Sequence, residues 1–253
     1  MTGLLEVVVT HAADAGRAEA GGADRVSLVG DPLPGTEREA GALSPAPALV
    51  EQVRAATSLP VRPLLRLREG YSTDGGEVAH LRGLLSSYRS AGADGVVLGF
   101  LNALTEIDLE VVAELLGAGD GSGQADDDAL RWTFSRAVNS CISTNRAWRE
   151  LPYLPGLDAV ATAGSARGVA EGLDELVQRA RTDDFARRTI MAGGGLLPEH
   201  VPWLVRAGVR AFHIGSSARP LGSWKAYVDP DLVRTWRTLI DEQVADASAP
   251  AAG

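Results

Sequence analysis

The sequence predicts an α/β protein folded as a single (β/α)8 TIM barrel, and three observations predict it. Short β-branched apolar runs alternate along the whole chain with amphipathic segments rich in Ala, Leu and Glu. Each strand-plus-helix unit takes up roughly 30 residues, the size of one βα repeat in a barrel, so 253 residues hold eight units with little left over. The apolar runs are near-continuous, the pattern of parallel strands covered on both faces. An open doubly wound sheet competes, but no Gly-rich dinucleotide turn follows the first strand.

Strands are expected at 4–9, 25–29, 61–67, 95–99, 130–134, 159–162, 189–192 and 211–214. Helices are expected at 14–20, 46–56, 77–91, 108–116, 143–150, 166–181, 198–207 and 229–244. A local repeat marks the joins: Gly21-Gly22-Ala23-Asp24-Arg25-Val26, Ala91-Gly92-Ala93-Asp94-Gly95-Val96, Pro155-Gly156-Leu157-Asp158-Ala159-Val160 and Ala207-Gly208-Val209-Arg210-Ala211-Phe212. In each, Gly closes a segment, a short polar link follows, and an apolar strand begins. Gly adopts the left-handed conformation of a helix C-terminus without steric cost, and these links fall on the barrel face that serves stability. The barrel is assigned residues 1–245, and the Ala/Ser/Pro segment 246–253 is expected to be a flexible tail. The Gly- and Asp-rich stretch 117–128 reads as a mobile surface loop, because it lacks the ligand spacing of an EF-hand.

Composition narrows the function classes. The net charge is −9 and Lys225 is the single lysine, so a nucleic-acid surface is not expected. The basic residues are otherwise arginines, which grip carboxylates and phosphates through paired hydrogen bonds. Apolar runs such as 95–101 fall short of a membrane span. The first nine residues read as a strand and not as a signal peptide. One cysteine, Cys141, allows no internal disulfide and fits a cytoplasmic location. Trp203, Trp224 and Trp236 fall late in the chain and either cover a subunit interface, making a homo-oligomer, or pack in the core.

Barrel chemistry sits where strands end and their following loops begin, so polar residues there are the site candidates. After the third strand, Arg66 and Arg68 are two apart and point to one side in extended chain, as an anion site requires. After the fifth come Ser135, Arg136 and Asn139, and Thr162 closes the sixth. Gly193-Gly194-Gly195 follows the seventh strand, and Ser216-Ser217 follows His213 at the end of the eighth. In many barrels these last two loops hold a phosphate through backbone N–H groups, or the glycines simply make a tight turn. With Leu5 and Val7 facing the helices, Glu6 points into the barrel, where it either pairs with Arg66 or Arg136 or acts as a general base. Glu6, Arg66 and Arg136 are therefore the catalytic candidates. No serine has an evident His and acid partner set. His11 and His213 stand outside any paired metal-ligand spacing, and Cys141 is a lone thiol.

At these residues the sequence resembles the CutC family, the copper homeostasis proteins. The likeness runs through Leu5-Glu6-Val7 with Gly22-Ala23-Asp24-Arg25-Val26; Gly41-Ala42-Leu43-Ser44-Pro45; Pro60-Val61-Arg62-Pro63-Leu64-Leu65-Arg66-Leu67-Arg68; Thr133-Phe134-Ser135-Arg136-Ala137; and Ile190-Met191-Ala192-Gly193-Gly194-Gly195 followed by His213 and Ser216-Ser217-Ala218. The resemblance implies a (β/α)8 barrel and copper handling, for which His11, His213 and Cys141 are the donors this chain retains. The chain departs from the family pattern at Ser27 (usually Glu), Ser135 (usually His) and Asn139 (often Asp), whereas Glu6, Arg66, Arg68, Arg136 and the glycine loop remain. The expected function is a CutC-like copper-homeostasis barrel whose mouth suits a small anionic or phosphorylated ligand. Two alternatives stand beside it: an enzyme acting without metal on a small phosphorylated or carboxylated substrate, and a barrel that has lost its chemistry.

Overall fold

In the computed structural model, residues 2–30, 42–117 and 130–248 are described. The strands are β1 (Leu4–Val9), β2 (Arg25–Leu28), β3 (Val61–Pro63), β4 (Val96–Leu98), β5 (Trp132–Phe134), β6 (Leu157–Thr162), β7 (Ile190–Gly193) and β8 (Ala211–Ile214). The helices are α1 (Ala12–Ala20), α2 (Pro47–Ala56), α3 (Gly75–Ser90), α4 (Leu109–Leu116), α5 (Thr144–Glu150), α6 (Val169–Thr182), α7 (Asp184–Thr189), α8 (Val201–Arg206) and α9 (Pro230–Ser248). The strands pair in parallel in the order β3-β2-β1-β8-β7-β6-β5-β4. The ring closes between β3 and β4 through a bridge from Leu64 to Val97 and the Leu65 N–H donated to the Val97 carbonyl at 2.8 Å.

Strand parity divides the core into two layers. Leu5, Val7, Val26, Leu28, Phe134 and Phe212 face outward and join Val50, Leu81, Leu204 and Ile240 of the helices in one cluster. Full burial of side chains of this kind contributes roughly 2 kcal/mol each. The alternate residues face the barrel axis, where small apolar patches such as Ala159, Ala161 and Met191 lie between charges. Arg62 forks onto both oxygens of Asp158 and also donates to Thr133 Oγ1 at 2.8 Å. The interior is thus part oil and part ion pair.

The repeated joins behave as their residues dictate. Gly22, Gly92, Gly156 and Gly208 all have positive φ, from +74° to +98°. Two residues after the first two of these, Asp24 and Asp94 accept an N–H at the start of the neighbouring strand, from Leu5 at 2.7 Å and Val61 at 2.9 Å.

Several boundaries differ from the sequence reading. β3 stops at Pro63, far short of 67, because proline brings no ladder N–H and the Arg66 N–H goes instead to Ser44 Oγ at 2.8 Å. α7 was not expected; Asp183 caps it by accepting the Ala186 N–H at 3.0 Å. α9 runs on to Ser248, past the point at 246 where a tail was expected, and residues 249–253 lie outside the described residues. Gly117 caps α4 in a left-handed conformation, and the rest of the expected loop, 118–128, also lies outside them. Trp236 is buried in the core, Trp224 lies under the Arg219 guanidinium, and Trp203 stays 53% exposed. Among the described residues no helix is long and apolar enough to cross a membrane.

Candidate functional site

At the C-terminal end of the strands lies a cleft of about 70 Å³. Its polar lining is Ser27, Arg66, Ser135, Arg136 and His213, and Val8, Leu64 and Tyr71 are among its apolar walls. A more spacious groove along α9 is shallow and lined by residues of that helix alone, such as Arg234 and Glu242, so the mouth is the better candidate.

Glycines at the strand ends make the cleft. A Cβ on Gly99 would lie 2.5 Å from Ser135 Oγ, and one on Gly193 would lie 2.8 Å from His213 Cβ and 3.0 Å from its Cδ2. A Cβ on Gly194 would lie 2.5 Å from the guanidinium carbon of Arg136, and its φ of +89° disfavours any side chain. The glycine loop after β7 therefore admits two side chains, His213 and Arg136, where the sequence suggested a cradle of backbone N–H groups. Only Gly195 faces open space.

Arg136 begins a short 3-10 turn after β5, capped by Ser135 Oγ, which accepts the Ala137 N–H at 3.3 Å. Among the described residues its guanidinium forms no ion pair, and its buried Nε has no hydrogen-bond partner. Arg66 is buried on the other side, donating to the Ala42 carbonyl with its guanidinium 5.7 Å from the Tyr71 ring centre. Two cations thus stand at one small opening.

Glu6 is fully buried and does not line the cleft. Its partner is Arg25, not Arg66 or Arg136, because the register places Arg25 of β2 and His213 of β8 directly beside it. Arg25 Nε donates to one carboxylate oxygen, and the other lies 2.8 Å from His213 Nδ1. Burial opposes the charge of Glu6. Arg25, the His213 hydrogen bond and charge, and Arg62 outweigh it and hold the carboxyl at about 2. So weak a base is unsuited to proton abstraction near neutral pH. What Glu6 does is fix the ring: an ionised carboxylate only accepts, so Nδ1 carries the proton.

The other expected residues disperse. Arg68 turns to Asp74 and Glu77 at the exposed start of α3. Asn139 Nδ2 donates to Thr162 Oγ1 at 2.9 Å and its Oδ1 accepts the Ala163 N–H, so this pair joins the loops after β5 and β6. Ser216 and Ser217 lie in a turn after β8, outside the cleft lining. That turn is anchored by a fully buried ion pair the sequence did not reveal: Arg219 donates to Asp14 at 2.9 Å and to the Val8 carbonyl at 3.1 Å.

The copper donors do not converge. His11 is exposed and packs edge-on against Tyr227, with ring centres 5.6 Å apart. Cys141 is pushed up to about 11 by burial and by Glu150 and Glu106, which disfavours the thiolate that copper prefers. Among the described residues no group of three or more His, Cys, Asp or Glu is placed to hold a metal ion.

Comparison with known proteins follows this geometry. The sequence profile of the CutC family matches residues 3–218. A family protein CutC of Klebsiella pneumoniae is 31% identical over 222 residues, covering 87% of this chain and 81% of that one. One from Caulobacter vibrioides is 32% identical over 253 residues, covering 95% of each. The solved structure of a CutC protein from Streptococcus agalactiae, named for copper homeostasis, superposes with a TM-score of 0.69 at 21% identity, over 85% of this chain and 98% of that one. Thiamine phosphate pyrophosphorylase from Pyrococcus furiosus shares the fold at a TM-score of 0.56 and 15% identity, over 97% of each chain.

Proposed function

The chain belongs to the CutC family, and on that premise we propose that its barrel mouth binds a small anion, a phosphate or carboxylate group, between Arg136 and Arg66. The observation that carries this reading is Arg136. Its guanidinium rests on Gly194 at the cleft, without an acidic partner among the described residues and with Nε out of water. Keeping a charge so placed is costly unless a counter-charge arrives, and a guanidinium offers the paired donors that an oxyanion accepts. The cleft is small, about 70 Å³, which suits a compact anionic group better than a bulky ligand. The open cleft weighs against a barrel that has lost its chemistry. The copper link in the family's name finds no matching donor set among the described residues of the mouth, so no step is assigned to the metal. A cytoplasmic site of action is part of the same proposal.

Thermal denaturation with sodium phosphate tests it. Phosphate at about 100 times its dissociation constant stabilises the wild type by about 2.7 kcal/mol. Arg136→Met keeps much of the stem's bulk, removes the charge, and abolishes the shift. An Arg136→Met protein with wild-type phosphate affinity refutes the reading; copper(I), run alongside, is expected to give no shift.

A further inference from the structure

We infer that the anion bound at the mouth carries a short aliphatic body, poor in hydroxyls, which seats on an apolar floor below the arginines. This rests on the anion reading above and deepens it by naming the ligand class. The juxtaposition that points to it is within one cleft: Arg66 and Arg136 line its opening, and Val8, Leu64, Val97 and Ala161 line it further in. The arginines come past the ends of β3 and β5, whereas Val8, Val97 and Ala161 lie within β1, β4 and β6, and Leu64 bridges to Val97. Charge therefore stands at the rim and hydrocarbon below it.

The floor is a surface and not sealed core. Leu64 and Val97 keep 8% and 7% of their area exposed, against 1% or less for Leu65, Val96 and Leu98, which pack in the main core. With Ala42 they form a separate apolar cluster, and half-buried Val29 packs against it. The charges of the barrel interior are turned to one another, Arg25 to Glu6 and Arg62 to Asp158 and Thr133, and none of them lines the cleft. The floor thus presents hydrocarbon to a ligand, and covering it removes apolar area from water. Apart from the cations, His213 and the Tyr71 ring, the polar side chains of the cleft are Ser27 and Ser135. Ser135 Oγ already accepts the Ala137 N–H. This pair of hydroxyls can meet a single further ligand oxygen, but the hydroxyls of a polyol would be left against Val8, Leu64 and Val97, at the cost of their lost hydration.

The test is calorimetric titration of the wild type with two probe series. One runs from inorganic phosphate through methyl, ethyl, propyl and butyl phosphate, the other from acetate to pentanoate. Whichever head group binds, affinity rises along its series by up to about fourfold for each methylene, until the floor is met. Glycerol phosphate binds at least about fivefold more weakly than propyl phosphate, and glycerate than propionate. Val97→Ala removes two methyl groups from the floor, and the longest chain that still gains affinity becomes about one carbon longer; the wild-type series needs no variant. Phosphate or acetate binding that depends on Arg136 but does not strengthen with chain length overturns the inference and leaves the anion site standing. So do hydroxylated probes that bind as tightly as their alkyl counterparts, or a folded Val97→Ala protein with the wild-type length limit. Failure of every probe to bind the wild type overturns both.

Discussion

Glu6→Gln puts the central ion pair to a quantitative test. The Glu6 carboxyl titrates at about 2 in the folded protein against an ordinary 4.5. At about 1.4 kcal/mol for each tenfold change in proton affinity, that difference is worth about 3 kcal/mol. The sign follows from a folded value below the unfolded one: the stabilisation is complete above about 4.5 and is lost as pH falls toward 2. Gln keeps the shape and can still accept a hydrogen bond, but it leaves Arg25 buried without a counter-charge, a loss of roughly 3–5 kcal/mol in comparable sites. Urea unfolding at pH 7 is therefore expected to show Glu6→Gln less stable by about 3 kcal/mol or more. At about pH 3 the gap narrows by about 2 kcal/mol, because the wild type has by then lost most of the contribution. A gap that stays constant between the two pH values, or a variant as stable as the wild type, refutes the electrostatic account of the barrel interior.

Two further substitutions separate the mouth from its surroundings. Gly194→Ala places a methyl 2.5 Å from the Arg136 guanidinium carbon at a φ of +89°. It is expected to lower stability by about 1–2 kcal/mol and phosphate affinity at least about tenfold, and with Arg136→Met the two affinity losses do not add; additive losses, read by calorimetry, refute the contact. Arg68→Ala removes a surface charge engaged by Asp74 and Glu77. Phosphate affinity is expected to be unchanged and stability nearly so, because exposed ion pairs are screened by solvent, and a marked loss of affinity in calorimetry returns Arg68 to the site.

What was legible in advance depends on the range of the interaction. The glycine-led joins could be read from four short stretches, three of them Gly-x-Asp, because a helix end, a positive φ and the next strand lie within six residues of chain. The inward direction of Glu6 followed from strand alternation. Its partner did not: Arg25, like Arg66 and Arg136, is an arginine near a strand end, and only the register between β1 and β2 selects it. The same limit applies to Arg68. Two-residue spacing put it beside Arg66, but β3 ends at Pro63, and beyond it spacing no longer dictates direction.

The glycine run after β7 shows where the division falls. Sequence alone determined that the backbone there needs freedom and that the run lies at the mouth, because both follow from local chain order. Tertiary structure alone decided what the freedom is for. Two side chains from β8 and from the loop after β5 occupy the space that Cβ atoms on Gly193 and Gly194 would fill. Such contacts join residues up to 58 positions apart, 194 against 136, and are fixed only when the barrel closes and its register sets which strand ends meet.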